Sequence, residues 1–171
     1  MIKAQNNLGS IYKDGLGVDQ DFKKALKWFK LAAQVGDPSP QFNIGTMHDK
    51  GLGVQQNKKE ASKWYILAAR QGHLDAQSNL GIMYMHGQGV EKDFKEAAKW
   101  NKLAAAGGNV VAQGNLGAML AGGQGVEKDL KEAFKWYKLA AVKGNELAQS
   151  NLAALFYTGQ GVEKDLEEAF K

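Results

Sequence analysis

Apolar residues recur at three- and four-residue spacing along most of the chain, as in Ala25, Phe29 and Ala32. This spacing gathers side chains on one face of an α-helix and differs from the strict alternation of a β-strand. Glycines interrupt each apolar run at regular intervals, and a side chain suited to N-capping precedes the next run. The pattern predicts pairs of short helices, here called helix A and helix B.

The whole pattern repeats with a period of 36 residues and has no insertion or deletion between copies. The copies cover residues 4–39, 40–75, 76–111, 112–147 and, in shortened form, 148–171. A fixed period of this length is the signature of a solenoid built from identical helical units. We therefore predict an all-α solenoid of antiparallel helix pairs, which forms a single domain over residues 1–171.

The polar residues of each copy predict where its helices begin and end. Helix A is expected to begin after Asp37, His73, Asn109 or Asn145 and to end at the first glycine of a Gly-x-Gly-Val motif. Helix B is expected to open with a capping box, an Asp or Asn followed three residues later by Glu. These boxes are Asn57 with Glu60, Asp93 with Glu96, Asp129 with Glu132 and Asp165 with Glu168. The first copy departs from the pattern because Lys24 replaces the Glu.

The repeated columns closely resemble the Sel1-like repeat, a relative of the tetratricopeptide repeat. The resemblance is carried by Ala, Asn-Leu-Gly, Gly-x-Gly-Val, Asp, Trp and Ala-Ala in fixed register, as from Ala76 to Gly108, and it extends from Ala4 to Lys171. It implies a right-handed α-solenoid of bacterial origin that acts as an adaptor or scaffold in signalling, host interaction or envelope processes. Some members of the family carry a disulfide in each repeat, but this chain has no Cys.

Composition and charge exclude several classes of function. The hydrophobic content of 44% suits a soluble chain with a continuous core, and no apolar stretch is long enough to span a membrane. The net charge of +4 comes largely from helix B lysines that stand close to glutamates, which indicates a solvated surface and not a nucleic-acid interface. Met1-Ile2-Lys3 leads directly into the first helix, so we expect no signal peptide and favour the cytoplasm.

Three features of the sequence resemble catalytic or ligand-binding motifs, and none of them supports catalysis. Ser10 and Lys13 match a Ser-x-x-Lys nucleophile motif, but the companion motifs are absent and only one copy carries it. The Gly-x-Gly-Val loops lack the preceding strand and third glycine of a dinucleotide-binding site. His48, His73 and His86 lack metal-ligand spacing. We predict a protein that is not an enzyme and binds no metal or cofactor.

An asparagine column is the most prominent polar feature of the predicted helix A. Two interpretations stay open: these side chains bond to neighbouring backbone and fix the stacking of repeats, or they line a groove and bond to a bound peptide. Residues three and four positions away share this face and vary between copies. The candidate peptide-binding residues are Asn7, Asn43, Asn79, Asn115, Asn151, Lys13, Asp49, Lys50, Ile82, Met85 and Tyr157.

We therefore predict a protein- or peptide-binding scaffold that uses the concave face formed by helix A of each repeat. The alternative is a regulator or inhibitor that docks a folded enzyme or a cell-surface component through loop tips such as Gln55, Gln56 and Gln124. The repeat pattern is incomplete at both ends, so we expect this chain to be a piece of a longer repeat array. Leu166, Ala169 and Phe170 would then form an apolar edge, and we expect weak end-to-end self-association.

Overall fold

The computed structural model describes residues 2–34 and 36–169. The chain divides into two compact units, Met1–Lys92 and Asp93–Lys171. Within the described ranges all regular secondary structure is α-helical, as the apolar periodicity predicts. The single-domain organisation stays a prediction.

The described part of the first unit contains five helices, and each of the first four packs on the helix that follows it. They are α1 (Ile2–Asp14), α2 (Phe22–Ala33), α3 (Pro38–Lys50), α4 (Lys58–Arg70) and α5 (Leu74–His86). Helix A of each repeat corresponds to an odd-numbered helix, and helix B to an even-numbered one. A buried cluster of Ala25, Leu26, Phe29, Ile44 and Met47 joins α2 to α3.

The second unit continues the same alternation. Its helices are α6 (Phe94–Ala106), α7 (Val110–Gly122), α8 (Leu130–Val142), α9 (Glu146–Thr158) and α10 (Leu166–Ala169). Buried Ala133, Tyr137 and Ala140 of α8 pack with Ala148 and Leu155 of α9. Phe170, part of the predicted apolar edge, lies outside the described residues.

The predicted ends of helix A are confirmed. Asn109 caps α7 by accepting a hydrogen bond from the Ala112 amide at 2.9 Å. His73 caps α5 in the same way, since its Nδ1 accepts from the Ala76 amide at 3.3 Å. At the other end of α5 the chain turns in the left-handed conformation at Gly87, with φ of 67°. Glycine adopts this conformation without the steric cost that a Cβ imposes.

The capping boxes that open α4, α6 and α8 are confirmed in one half and wrong in the other. At α10 the Asp165 carboxylate accepts from the Glu167 amide at 3.0 Å, and the Glu168 side chain lies outside the described residues. The Asp129 carboxylate accepts from the Glu132 amide at 2.9 Å, as predicted. The Asp129 amide, however, donates to the carbonyl of Leu120 at 3.0 Å, which anchors the loop to the preceding helix. Glu132 pairs instead with Lys135 at 3.0 Å. Because the cap amide is already bonded, the glutamate has no donor to reach back to.

The second glycine of the Gly-x-Gly-Val motif allows two repeats to approach closely. A Cβ at Gly53 would lie 2.7 Å from the Cβ of Phe22, at the start of α2 in the preceding repeat. Gly53 also has a positive φ of 69°. The spacing of repeats in the first unit therefore depends on the absence of a side chain at this position.

Candidate functional site

The asparagine column lies on helix A, and its side chains are not sealed inside the core. Asn7 is exposed, and Asn43, Asn79, Asn115 and Asn151 are half-buried. In the first unit the Asn43 amide donates to the Asn6 side chain at 3.4 Å, which links α3 to α1. This bond joins two side chains, and Asn43 remains partly exposed to solvent.

Three of the predicted site residues come together at one place in the first unit. Asp49 of α3 and Asn79 and Ile82 of α5 line a cavity of about 60 Å³, which we call the polar pocket. Its remaining lining residues are Lys58, Tyr65, Met83 and Gln88. A cavity of this volume has room for one or two waters or for a small polar group of a ligand.

Two oppositely charged side chains, which form an ion pair, line the polar pocket. The Lys58 ammonium donates to the Asp49 carboxylate at 2.7 Å, and the two side chains are 38% and 24% exposed. The corresponding positions to Lys58 in the other copies are apolar: Phe22, Phe94, Leu130 and Leu166. The charged pair is thus specific to the second repeat, where Lys58 interrupts an otherwise apolar column.

Tyr65 provides the hydroxyl group at the base of the polar pocket. It donates to the Thr46 hydroxyl at 3.3 Å, and the Asn79 side chain also interacts with it. Burial raises the pKa of Tyr65, while the contacts with Thr46 and Asn79 oppose that shift. The phenol therefore stays protonated at neutral pH, and its single proton is the one donated to Thr46.

The remaining predicted residues of the first unit do not line this pocket. Lys13 is half-buried and forms an ion pair with Asp14 at 3.4 Å. Lys50 is exposed at the end of α3, and Met85 is half-buried on α5. The helix A surface of the first unit therefore offers one defined polar pocket with separate charged and apolar side chains around it.

In the second unit the asparagines have a different environment. Asn115 donates to the side chain of Asn101 at 3.4 Å, and Asn101 is fully buried in α6. Tyr157 on α9 is 57% exposed, with the Lys164 ammonium 5.7 Å from its ring centroid. Asn115 is therefore partly engaged in internal bonding, whereas Tyr157 presents an aromatic surface to solvent.

Sequence reasoning missed Tyr65, Lys58 and Gln88 as members of the pocket. Tyr65 belongs to an aromatic column that also contains Phe29 and Tyr137, and such a column indicates core packing. A usable signal was present, because Lys58 is the one polar residue in its column. A basic residue at an otherwise apolar position indicates an acidic partner nearby in space, which in the structure is Asp49.

The expected mixed-sign surface of helix B is confirmed on three helices. Glu60 pairs with Lys63 at 2.9 Å, and the same spacing pairs Glu96 with Lys99 and Glu132 with Lys135. Over residues 2–34 and 36–169, no group of three His, Cys, Asp or Glu side chains is arranged to hold a metal ion. Across the same ranges, each helix is too short or too polar to cross a membrane.

The chain belongs to the Sel1 repeat family, whose repeat matches residues 2–37, 41–73, 74–109, 110–145 and 147–171. The fold is that of a helical-repeat solenoid, as in solved Sel1 repeat proteins. No curated protein matches the chain as a relative.

Two solved structures of bacterial proteins are closely similar. One is a protective antigen present in uropathogenic Escherichia coli strains, with 40% identity and a TM-score of 0.93 over 98% of this chain. The other is a Sel1 repeat protein from Oxalobacter formigenes, with 36% identity and a TM-score of 0.93 over 99%. The chain spans 36% of the length of the first and 68% of the second.

An immunity protein from Pseudomonas aeruginosa shares the fold at lower similarity. Its identity is 22% and its TM-score 0.61, over 99% of this chain and 65% of that protein. At this level of identity the comparison shows the fold alone.

Proposed function

We propose that this protein is a non-catalytic scaffold that binds an extended peptide segment on the helix A surface of its first unit. Sel1 repeat proteins are in general protein-interaction scaffolds, so membership of the family supports a protein partner. The observation that carries the finer proposal is the convergence of Asp49, Asn79 and Ile82 on one polar pocket. Asp49 and Ile82 stand at positions that vary between repeats, whereas Asn79 belongs to the asparagine column that every repeat carries.

The chemistry of the pocket suits a peptide backbone and one polar side chain. Asn79 offers both a donor and an acceptor, which matches the paired groups of an extended chain. Asp49 and Lys58 present opposite charges within 2.7 Å of each other, and Ile82 adds an apolar wall. Three adjacent helices about 10 Å apart span about 20 Å, the length of roughly six extended residues.

A selection experiment tests this proposal. A phage library of random 12-residue peptides would be panned on the protein, and enriched peptides measured by fluorescence anisotropy. Asn79→Ala should weaken binding about 5- to 30-fold, the effect of about 1–2 kcal/mol for a lost hydrogen-bond partner. Gln55→Ala removes an exposed loop amide and should leave the affinity unchanged. Equal affinity of both variants and the wild type would refute peptide binding at this surface.

A second candidate is a regulator that docks a folded partner through its loops. In its favour, the loop after α3 is held in one conformation: Gln56 donates to the Asp49 carbonyl at 2.7 Å, and the Leu52 amide donates to Met47 at 2.9 Å. Gln56 is thereby used internally, which leaves Gln55 as the free loop tip. The immunity protein of similar fold is in line with this role. Loss of partner binding in Gln55→Ala, but not in Asn79→Ala, would favour it.

A further inference from the structure

Lysines are concentrated on the outer face of α2, the side turned away from the buried Ala25, Phe29 and Ala32. The helix carries Lys23, Lys24, Lys27 and Lys30 and no acidic residue between Phe22 and Ala33. Lys23, Lys27 and Lys30 follow one another at spacings of four and three, which places them on one face. All three are exposed.

The corresponding helices of the later repeats each neutralise one lysine of this face. In α4, α6 and α8 a glutamate near the helix start pairs with the lysine three residues on, at 2.9 to 3.0 Å. In α2 that glutamate is replaced by Lys24, which turns back to the capping Asp21 at 3.4 Å. The first repeat therefore loses one negative charge and gains one positive charge at the same position, and α2 offers Lys27 no carboxylate.

Apolar side chains lie among these lysines. Lys23, Lys27 and Lys30 line a cleft of about 330 Å³ together with Leu26, Leu31 and Gln34. Leu26 is 8% exposed and forms the buried base of the cleft, while Leu31 is half-buried. The cleft is large enough for one or two aliphatic side chains of a partner, and lysines border it.

We propose that this outer face of α2 is a second interaction surface, which binds an acidic protein segment that carries aliphatic side chains beside its carboxylates. Charge complementarity selects the partner, because the exposed lysines attract carboxylates and speed the encounter. Aliphatic side chains of the partner then bury apolar surface against Leu26 and Leu31, which stabilises the complex. Single-stranded nucleic acid fits less well, because its bases stack on exposed aromatic side chains, and Phe29 is buried while Trp28 is half-buried.

This surface is independent of the proposed peptide-binding surface. Its lysines and leucines all belong to α2, whereas the candidate peptide-binding residues lie on the odd-numbered helices. The inference therefore does not rest on the proposed function, and the two can be tested with separate variants.

The test uses a fluorescein-labelled peptide of about 14 residues with Glu and Leu at helical spacing. Lys27→Glu combined with Lys30→Glu should weaken its binding at least about tenfold at an ionic strength of roughly 0.15 M. The matched control is Lys99→Glu with Lys102→Glu, which alters the same two columns of α6. Each pair changes the charge by four, from +4 to 0, so bulk electrostatics are equal. The control should bind within about twofold of the wild type.

Several results would overturn the proposal. Equal loss of binding in the two double variants would show that the net charge of the protein, and not the face of α2, determines the affinity. If a peptide in which Ser replaces every Leu binds with the same affinity, the cleft does not bind aliphatic side chains. Tighter binding of phosphatidylserine vesicles or a single-stranded oligonucleotide, lost only in the α2 variant, would assign the face to another class of partner. Thermal melting of each variant verifies that the helices remain folded.

Discussion

The aromatic ring of Tyr137 lies directly against the backbone of Gly117, so that a Cβ added to Gly117 would be 2.7 Å from two of its ring carbons. The same relationship recurs two copies earlier in the first unit, between Gly45 and Tyr65 at 2.7 Å. Helix A and helix B of a repeat are therefore held together by a ring that occupies the space of a missing side chain. This contact explains why a glycine is present in the middle of a helix, where it is otherwise unfavourable.

We expect Gly117→Ala to destabilise the protein by about 1–3 kcal/mol, because the ring of Tyr137 has to move out of a fully packed site. The matched control is Gly122→Ala on the same helix, where the new Cβ would meet Gln124 at an ordinary 3.5 Å. That variant should be neutral or more stable by up to about 1 kcal/mol, since alanine favours the helix. Urea denaturation of both variants measures the difference. A stabilised Gly117→Ala would contradict the packing described.

These contacts show which parts of the structure can be predicted from sequence. Caps such as Asn109 and helix-ending glycines such as Gly87 act within a few residues, so their roles can be inferred locally. The polar pocket could not be predicted, because it depends on which side chains of α3, α4 and α5 meet in space. Asn101 likewise replaces an aromatic residue, and only the structure shows that it is buried and bonded to Asn115.

The helix B cap at Asp129 should contribute measurably to stability. Asp129→Ala removes the acceptor for the Glu132 amide and should cost about 1 kcal/mol. Glu132→Gln is the control: its side chain is paired with Lys135, and such an exposed pair contributes at most about 0.5 kcal/mol. Chemical denaturation should show the larger loss for Asp129→Ala. The cap assignment fails if the two variants unfold at the same midpoint.

His73 should make stability depend on pH. Burial lowers its pKa below the ordinary value of 6.5, against the opposing charges of Asp75 and Asp37. His73 therefore binds a proton more readily in the unfolded chain than in the folded one. The stability that neutral His73 contributes is fully present above about pH 6.5 and is lost as the pH falls below that value. Protonation also removes the Nδ1 acceptor that caps α5.

His73→Asn keeps a capping acceptor, as at the corresponding Asn109 and Asn145, and does not titrate. We expect its advantage in unfolding free energy over the wild type to grow between about pH 7.5 and pH 5. Urea titrations at the two pH values measure this advantage. An advantage that stays constant or shrinks toward acid pH would show that His73 is not the titrating cap.

The last prediction separates binding from stability at the polar pocket. Asp49→Met combined with Lys58→Phe gives the second repeat the residues that the third repeat carries at these positions, Met85 and Phe94. Replacing a partly buried ion pair with apolar side chains of similar size is often neutral or stabilising, so the unfolding free energy should fall by no more than about 1 kcal/mol. Peptides selected on the wild type should nevertheless bind the double variant about tenfold or more weakly, because the polar side chain at one end of the peptide loses its partners Asp49 and Lys58. Peptides selected on the variant should in turn be apolar at that end. If both proteins select the same peptides with the same affinity, the polar pocket is not part of the binding surface.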